Sequence, residues 1–98
     1  MKPHGFQRES LDEYSHAAED SAKISPELAG RFYAEIERLI GDVCRTPLLF
    51  RRLRGPIRRH FSTMFPFPIL YEDKPDHVRI LAVMPMHRDP DYWQHRVD

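Results

Sequence analysis

Three residues near the C-terminal end are of types that could carry out acid–base chemistry. His87, Arg88 and Tyr92 lie in the run Met86-His87-Arg88-Asp89-Pro90-Asp91-Tyr92-Trp93. An imidazole takes or gives a proton, a guanidinium clamps a phosphate, and a phenol donates a proton or a hydrogen bond. Cleavage of RNA needs such a set: one group to deprotonate a 2′-hydroxyl, one to protonate the leaving oxygen, and positive charge for the transition state. The same residues also have an ordinary use. Tyr92 and Trp93 fit the apolar face of a terminal turn packed on a sheet, and Arg88 could pair with Asp89 or Asp91. Spacing without geometry does not choose between the two uses.

A second constellation is basic. Arg45, Arg51, Arg52, Arg54, Arg58 and Arg59 follow one another with no acid among them. Arg51, Arg52, Arg54 and Arg58, with Arg59 at the end of the stretch, are candidates for binding phosphates or a partner through forked, charge-assisted hydrogen bonds. The alternatives are a solvated face or a dock for an acidic protein segment. The formal net charge is +0, yet the charge is divided. Glu9, Asp12, Glu13, Glu19, Asp20, Glu27, Glu35, Glu37 and Asp42 make the first half acidic, so an anionic partner would feel the arginine stretch rather than the total.

Other chemistries find little support. Cys44 is the single cysteine, which excludes an internal disulfide and a cysteine-based zinc site. His4, His16, His60, His77, His87 and His95 show no pair at the spacing of a helical zinc motif. Glycine-rich phosphate loops and Gly-x-Ser-x-Gly elbows are missing too, so no metal and no cofactor is expected. Phe65 and Phe67 are of a type that stacks on bases, but core packing is their commoner use.

The elements that must position these groups follow from pattern. With 98 residues and 41% hydrophobic content, one globular domain over residues 1–98 is expected. No apolar run is long enough to cross a bilayer, and the start Met-Lys-Pro-His-Gly-Phe does not resemble a secretory signal, so a cytoplasmic protein is expected. Met1–Phe6 reads as a short edge strand, weakened by Pro3 and Gly5. Glu9 to about Ala22 reads as helix, with Leu11, Tyr14 and Ala18 on one face, acids in the first turn, and Ser10 as an alternative part of the cap. Ser25-Pro26-Glu27 supplies a second helix start, and Leu28, Phe32, Ile36, Leu39, Ile40 and Val43 carry an amphipathic helix to about Cys44. Its polar face, with Glu27, Arg31, Glu35 and Arg38, suits ion pairs at a spacing of four.

Pro47–Pro56 reads as a connection closed by a Gly55-Pro56 turn. Ile57, Arg59 and Phe61 alternate with Arg58, His60 and Ser62, a strand period. Two further strands, about Phe67–Tyr71 and His77–Val83, flank the charged turn Glu72-Asp73-Lys74-Pro75-Asp76 as a hairpin. The second is apolar on almost every residue after Arg79, which predicts a central strand covered on both faces. Asp89-Pro90 looks like a cap and first-turn proline opening a helical turn through Tyr92, Trp93 and Arg96. The expected architecture is α+β: a small, mainly antiparallel sheet with a two-helix hairpin packed on one face and a short C-terminal helical turn.

The order of these pieces resembles a known family. Ser-Pro-Glu-Leu-x-x-Arg-Phe (Ser25–Phe32), Arg-Leu-Arg-Gly (Arg52–Gly55), Phe-Pro-Phe-x-Ile-x-Tyr (Phe65–Tyr71), Ile-Leu-Ala-Val (Ile80–Val83) and Arg-Asp-Pro-x-Tyr-Trp (Arg88–Trp93) together look like the RelE/ParE superfamily of bacterial toxins. The resemblance covers nearly the whole chain. It implies the toxin of a type II toxin–antitoxin module, cytoplasmic and neutralised by a cognate antitoxin, with operator DNA reached only through that antitoxin. It also implies two helices packed on an antiparallel sheet.

Members of the superfamily divide by target: RelE-like ones cut messenger RNA on the ribosome, and ParE-like ones poison DNA gyrase. By the resemblance, Arg59, with Arg58, matches the basic residues of the earlier strand, and Arg88 and Tyr92 match the tail, which makes Arg59, Arg88 and Tyr92 the catalytic candidates of an RNA-cutting member. Pro68 and Met86 stand where RNA-cutting members carry arginines, and Pro85 stands where many carry histidine; His87 is the substitute at hand. Those departures favour gyrase as the expected target, with a ribosome-dependent endoribonuclease, or a partner-binding domain without toxicity, as the alternatives.

Overall fold

A computed structural model of the protein describes residues 1–83 and 91–97. Its two helices come first because their start signals are strong. Helix α1 runs Arg8–Ile24 and helix α2 runs Pro26–Arg45, with Ser25 between them. The Ser25 hydroxyl accepts from the backbone N–H of Leu28, while Pro26 occupies the first turn, where its missing N–H costs nothing. At the start of α1 the cap is Gln7, whose side chain accepts from the Ser10 N–H. Ser10 is not the cap. It is fully buried, and its hydroxyl contacts the carbonyls of both Gln7 and Ile80.

Five strands form one sheet in the order β1-β5-β4-β3-β2. They are β1 (His4–Phe6), β2 (Arg52–Arg54), β3 (Ile57–Phe61), β4 (Pro68–Asp73) and β5 (Val78–Val83). Only the β1–β5 pair is parallel; the others are antiparallel. The expected α+β architecture is therefore the observed one, and β5 is central, as its apolar run predicts. Strand β2 lies inside the stretch expected to be a plain connection. Its residues are exposed, so no apolar alternation marks it; the two-residue turn Gly55-Pro56, with Gly55 at φ +53°, folds it back on β3.

The sheet has two unlike faces. On one lie both helices, over a core of Phe32, Ile36, Leu39, Ile40, Val43, Ile69, Tyr71, Val78 and Ile80. Leu11, expected on the buried stripe of α1, is instead 48% exposed, while Tyr14 is buried. On the other face a smaller cluster, Ile57, Leu70, Leu81, Ala82 and Trp93, sits under the C-terminal turn that ends in the 3₁₀ segment Gln94–Arg96. Leu70 pairs with Ala82 and Tyr71 with Ile80, which leaves Leu81 as the extra residue of a β-bulge. The bulge is why Leu81 and Ala82, adjacent in sequence, both belong to the tail-side cluster. The cap expected at Asp89-Pro90 falls outside the described residues. Among those described, no helix is long and apolar enough to cross a membrane.

Candidate functional site

The arginines divide by strand alternation. Residues paired directly across neighbouring strands share a face. Arg52 stands opposite Arg58, and Arg58 opposite Tyr71, which places both arginines on the helix side of the sheet. Arg54 stands opposite Ile57, and Arg59 opposite Leu70, which places these two on the tail side. The basic stretch is thus one patch in sequence and two in space.

Each arginine has a different setting. Arg58 donates to the carbonyls of Leu48 at 3.3 Å and Phe50 at 2.8 Å, so it helps hold the loop before β2. Its neighbour His60 stacks on Phe50 with ring centroids 3.8 Å apart and meets Asp42 of α2 at 2.9 Å. Arg59 lies 5.1 Å from the ring centroid of Phe61, an exposed aromatic. Arg54 makes a loose ion pair with Asp91 at 3.4 Å. Arg51 and Arg52 are exposed and have no ion pair or hydrogen bond to another described side chain. Facing Arg52 with Arg58 costs some stability through like-charge repulsion, which an anionic partner would relieve.

Tyr92 belongs to a clasp rather than to the arginine patch. Its hydroxyl donates to Glu13 Oε2, while Glu13 Oε1 accepts from the Val83 N–H at 3.2 Å and from Arg96 Nη1 at 2.7 Å. Arg96, only 6% exposed, also donates to the Leu81 carbonyl at 3.1 Å and stacks 4.8 Å from the Tyr92 ring centroid. Glu13 therefore ties the end of β5 and the C-terminal turn to α1. Its position in the first half of the helix suggests only a favourable dipole contact; the clasp spans the whole chain and no local pattern reveals it. His87 and Arg88 lie outside the described residues.

A second network centres on Glu35. Glu35, expected on a solvated helix face, is 2% exposed. It accepts from Arg38 Nε at 2.7 Å and Nη2 at 3.0 Å, and from the Ser62 hydroxyl. The Arg38 guanidinium, with Ser62 adding to it against the cost of burial, holds the Glu35 carboxyl down at about 2. Ser62 Oγ in turn accepts from the N–H groups of Met64 and Phe65 and so shapes the β3–β4 loop. Arg38 and Arg45 both reach Asp42, the partner of His60.

These groups are structural in their electrostatics. Burial raises the Tyr14 phenol, with Glu37 adding to it, and burial raises the Tyr71 phenol to about 12 and the Cys44 thiol as well. Each of these shifts carries its group away from neutral pH, the opposite of what acid–base catalysis uses. Among the described residues no group of three or more His, Cys, Asp or Glu side chains is arranged to hold a metal ion. No family model matches the chain, and no curated protein matches it.

Proposed function

We propose that this protein is the toxin of a bacterial type II toxin–antitoxin module and that it acts in the ParE manner, by binding DNA gyrase, rather than by cutting RNA. The ordered motifs from Ser25 to Trp93 and the two-helix hairpin on a mainly antiparallel sheet support the superfamily. The observation that carries the choice of target is the engagement of Tyr92: its hydroxyl is held by Glu13 and its ring is covered by Arg96. A phenol in that setting is a brace, and Pro68, buried in β4, offers no charge where an RNA-cutting relative has an arginine. A binding toxin needs neither. It needs exposed charge such as Arg51, Arg52 and Arg54, a site in the cytoplasm with its target, and an antitoxin to cover it.

The test is direct. Purified protein added to gyrase and supercoiled plasmid should trap cleaved DNA, and Tyr92→Phe should trap it as well as the wild type does. No trapped DNA at saturating protein would reject the gyrase target. Messenger RNA cut in a translation extract, and spared by Arg88→Ala or Tyr92→Phe, would establish the endoribonuclease instead. Unimpaired growth after induction without antitoxin would leave a partner-binding domain.

A further inference from the structure

The turn between α2 and β2 gives its backbone to the fold and two of its side chains to solvent. Leu48 and Leu49 are adjacent in it and are 67% and 71% exposed. Exposed leucines scattered singly are ordinary on a protein surface; an adjacent pair on a firmly held turn calls for a reason. The backbone around the pair is pinned carbonyl by carbonyl. The Thr46 carbonyl accepts from the Leu49 N–H at 3.1 Å, which closes the turn. Tyr71, itself fully buried, donates its hydroxyl to the Pro47 carbonyl at 2.6 Å. Arg58 donates to the carbonyls of Leu48 and Phe50, and the Arg51 carbonyl accepts from the Arg59 N–H at 3.0 Å. The Phe50 ring stacks on His60, so the residue after the pair is anchored on the sheet while the pair itself faces outward.

A shape fixed in advance lowers the ordering cost of docking, and this matters for a protein cleft, which has one geometry to match. A lipid surface has none: insertion there follows apolar area and charge. The turn also runs straight into Arg51 and Arg52, both exposed, which the proposed function brings against its target. We propose that Leu48 and Leu49 are the apolar anchor by which this protein seats on DNA gyrase, entering an apolar cleft of that enzyme, with Tyr71 and Arg58 as positioning residues that hold the turn. The inference rests on the gyrase reading and adds a contact site to it. Charge speeds the encounter, and the leucine pair supplies the desolvated centre on which a lasting contact depends.

Both leucines are exposed, so the double variant Leu48→Ser, Leu49→Ser should keep the wild-type unfolding temperature; if it does not, each single change takes its place. With gyrase and supercoiled plasmid, the double variant should need about tenfold more protein than the wild type for half-maximal trapping of cleaved DNA, the scale on which anchor residues act. Leu11→Ser, at an exposed leucine of α1, should trap as the wild type does. Tyr71→Phe releases the Pro47 carbonyl without altering the surface. It should raise the half-maximal concentration about threefold, the scale of one hydrogen bond, with the plateau of cleaved DNA unchanged. Equal trapping by the double variant and the wild type would overturn the anchor and leave the gyrase reading intact, and an unmoved Tyr71→Phe would overturn the positioning role. A wild type that traps nothing would reject the gyrase reading and the anchor with it. Sedimentation of the wild type but not the double variant with phosphatidylglycerol vesicles, at unchanged trapping, would assign the turn to a lipid surface. A dimer that the double variant loses, again at unchanged trapping, would assign it to a second copy of this chain. Either result would overturn the proposal.

Discussion

The two faces of the sheet solve the same problem differently. On the helix side, Ile36, Leu39, Val43, Ile69, Tyr71, Val78 and Ile80 are fully buried, and the polar groups among them are matched: Tyr71 donates to the Pro47 carbonyl, and Glu35 meets Arg38 and Ser62. On the tail side, among the described residues, a smaller cluster sits under a short turn, with a groove beside it and an indole N–H lacking an acceptor. The first face is built for stability. Among the described residues the second has a smaller cluster and carries arginines at its margin. Function tends to gather where a fold is least complete in itself, because that is where another molecule has something to add.

The contrast can be broken most strongly from the helix side. Leu39→Ala should destabilise the fold by about 2–5 kcal/mol, as removal of a buried leucine side chain does, measured by urea unfolding; a loss below about 1 kcal/mol would mean that this face is not the principal core. Glu35→Gln comes next. It keeps the shape but removes the charge that Arg38 and Ser62 hold, at a cost of roughly 1–3 kcal/mol near neutral pH. Because the folded carboxyl is held at about 2 against an ordinary 4.5, its contribution is present above pH 4.5 and is lost as pH falls toward 2. The variant should therefore show a shallower loss of stability over that window, and an unchanged slope would remove Glu35 as the cause. The smallest effect belongs to the tail side. Trp93→Phe leaves a modest void but also removes a donor that has no acceptor among the described residues, so the two effects offset and the change should stay within about 1 kcal/mol. A loss as large as that of Leu39→Ala would show that the two faces are not unequal after all.

What could be read from sequence alone follows the range of the interactions. Helix α2 was clear because Ser25-Pro26-Glu27 and the apolar stripe are local signals, and β5 was clear because its apolar run is unbroken. Strand β2 was hidden, since Arg52-Leu53-Arg54 is defined by its pairing with β3 and not by its own pattern. The bulge at Leu81 was hidden for a similar reason: it exists only in the mismatch with β4. Among site residues, Arg51, Arg52 and Arg54 are exposed as their composition suggested. The division of the arginines over two faces, the burial of Glu35, the Asp42–His60 contact and the Glu13 clasp all depend on residues brought together from distant parts of the chain. Tyr92 had two uses open to it, and no local pattern reveals that its hydroxyl donates to Glu13 and its ring lies beside Arg96. The groove beside Trp93 had no signal at all, because its walls come from the β2–β3 turn and the C-terminal turn.

The parallel pairing of β1 with β5 also dictates an order of events at the ribosome. Lys2 reaches Asp73 and the Lys74 carbonyl, and Gln7 donates to the Ile80 carbonyl. The β1 residues therefore leave the exit tunnel well before the β5 residues with which they pair. The helical hairpin can form from local contacts while synthesis continues, but the N-terminal strand must wait, extended and unpaired, until β5 has emerged. During that interval β1 exposes a sheet-forming edge, so this strand is the part of the growing chain most open to a chaperone.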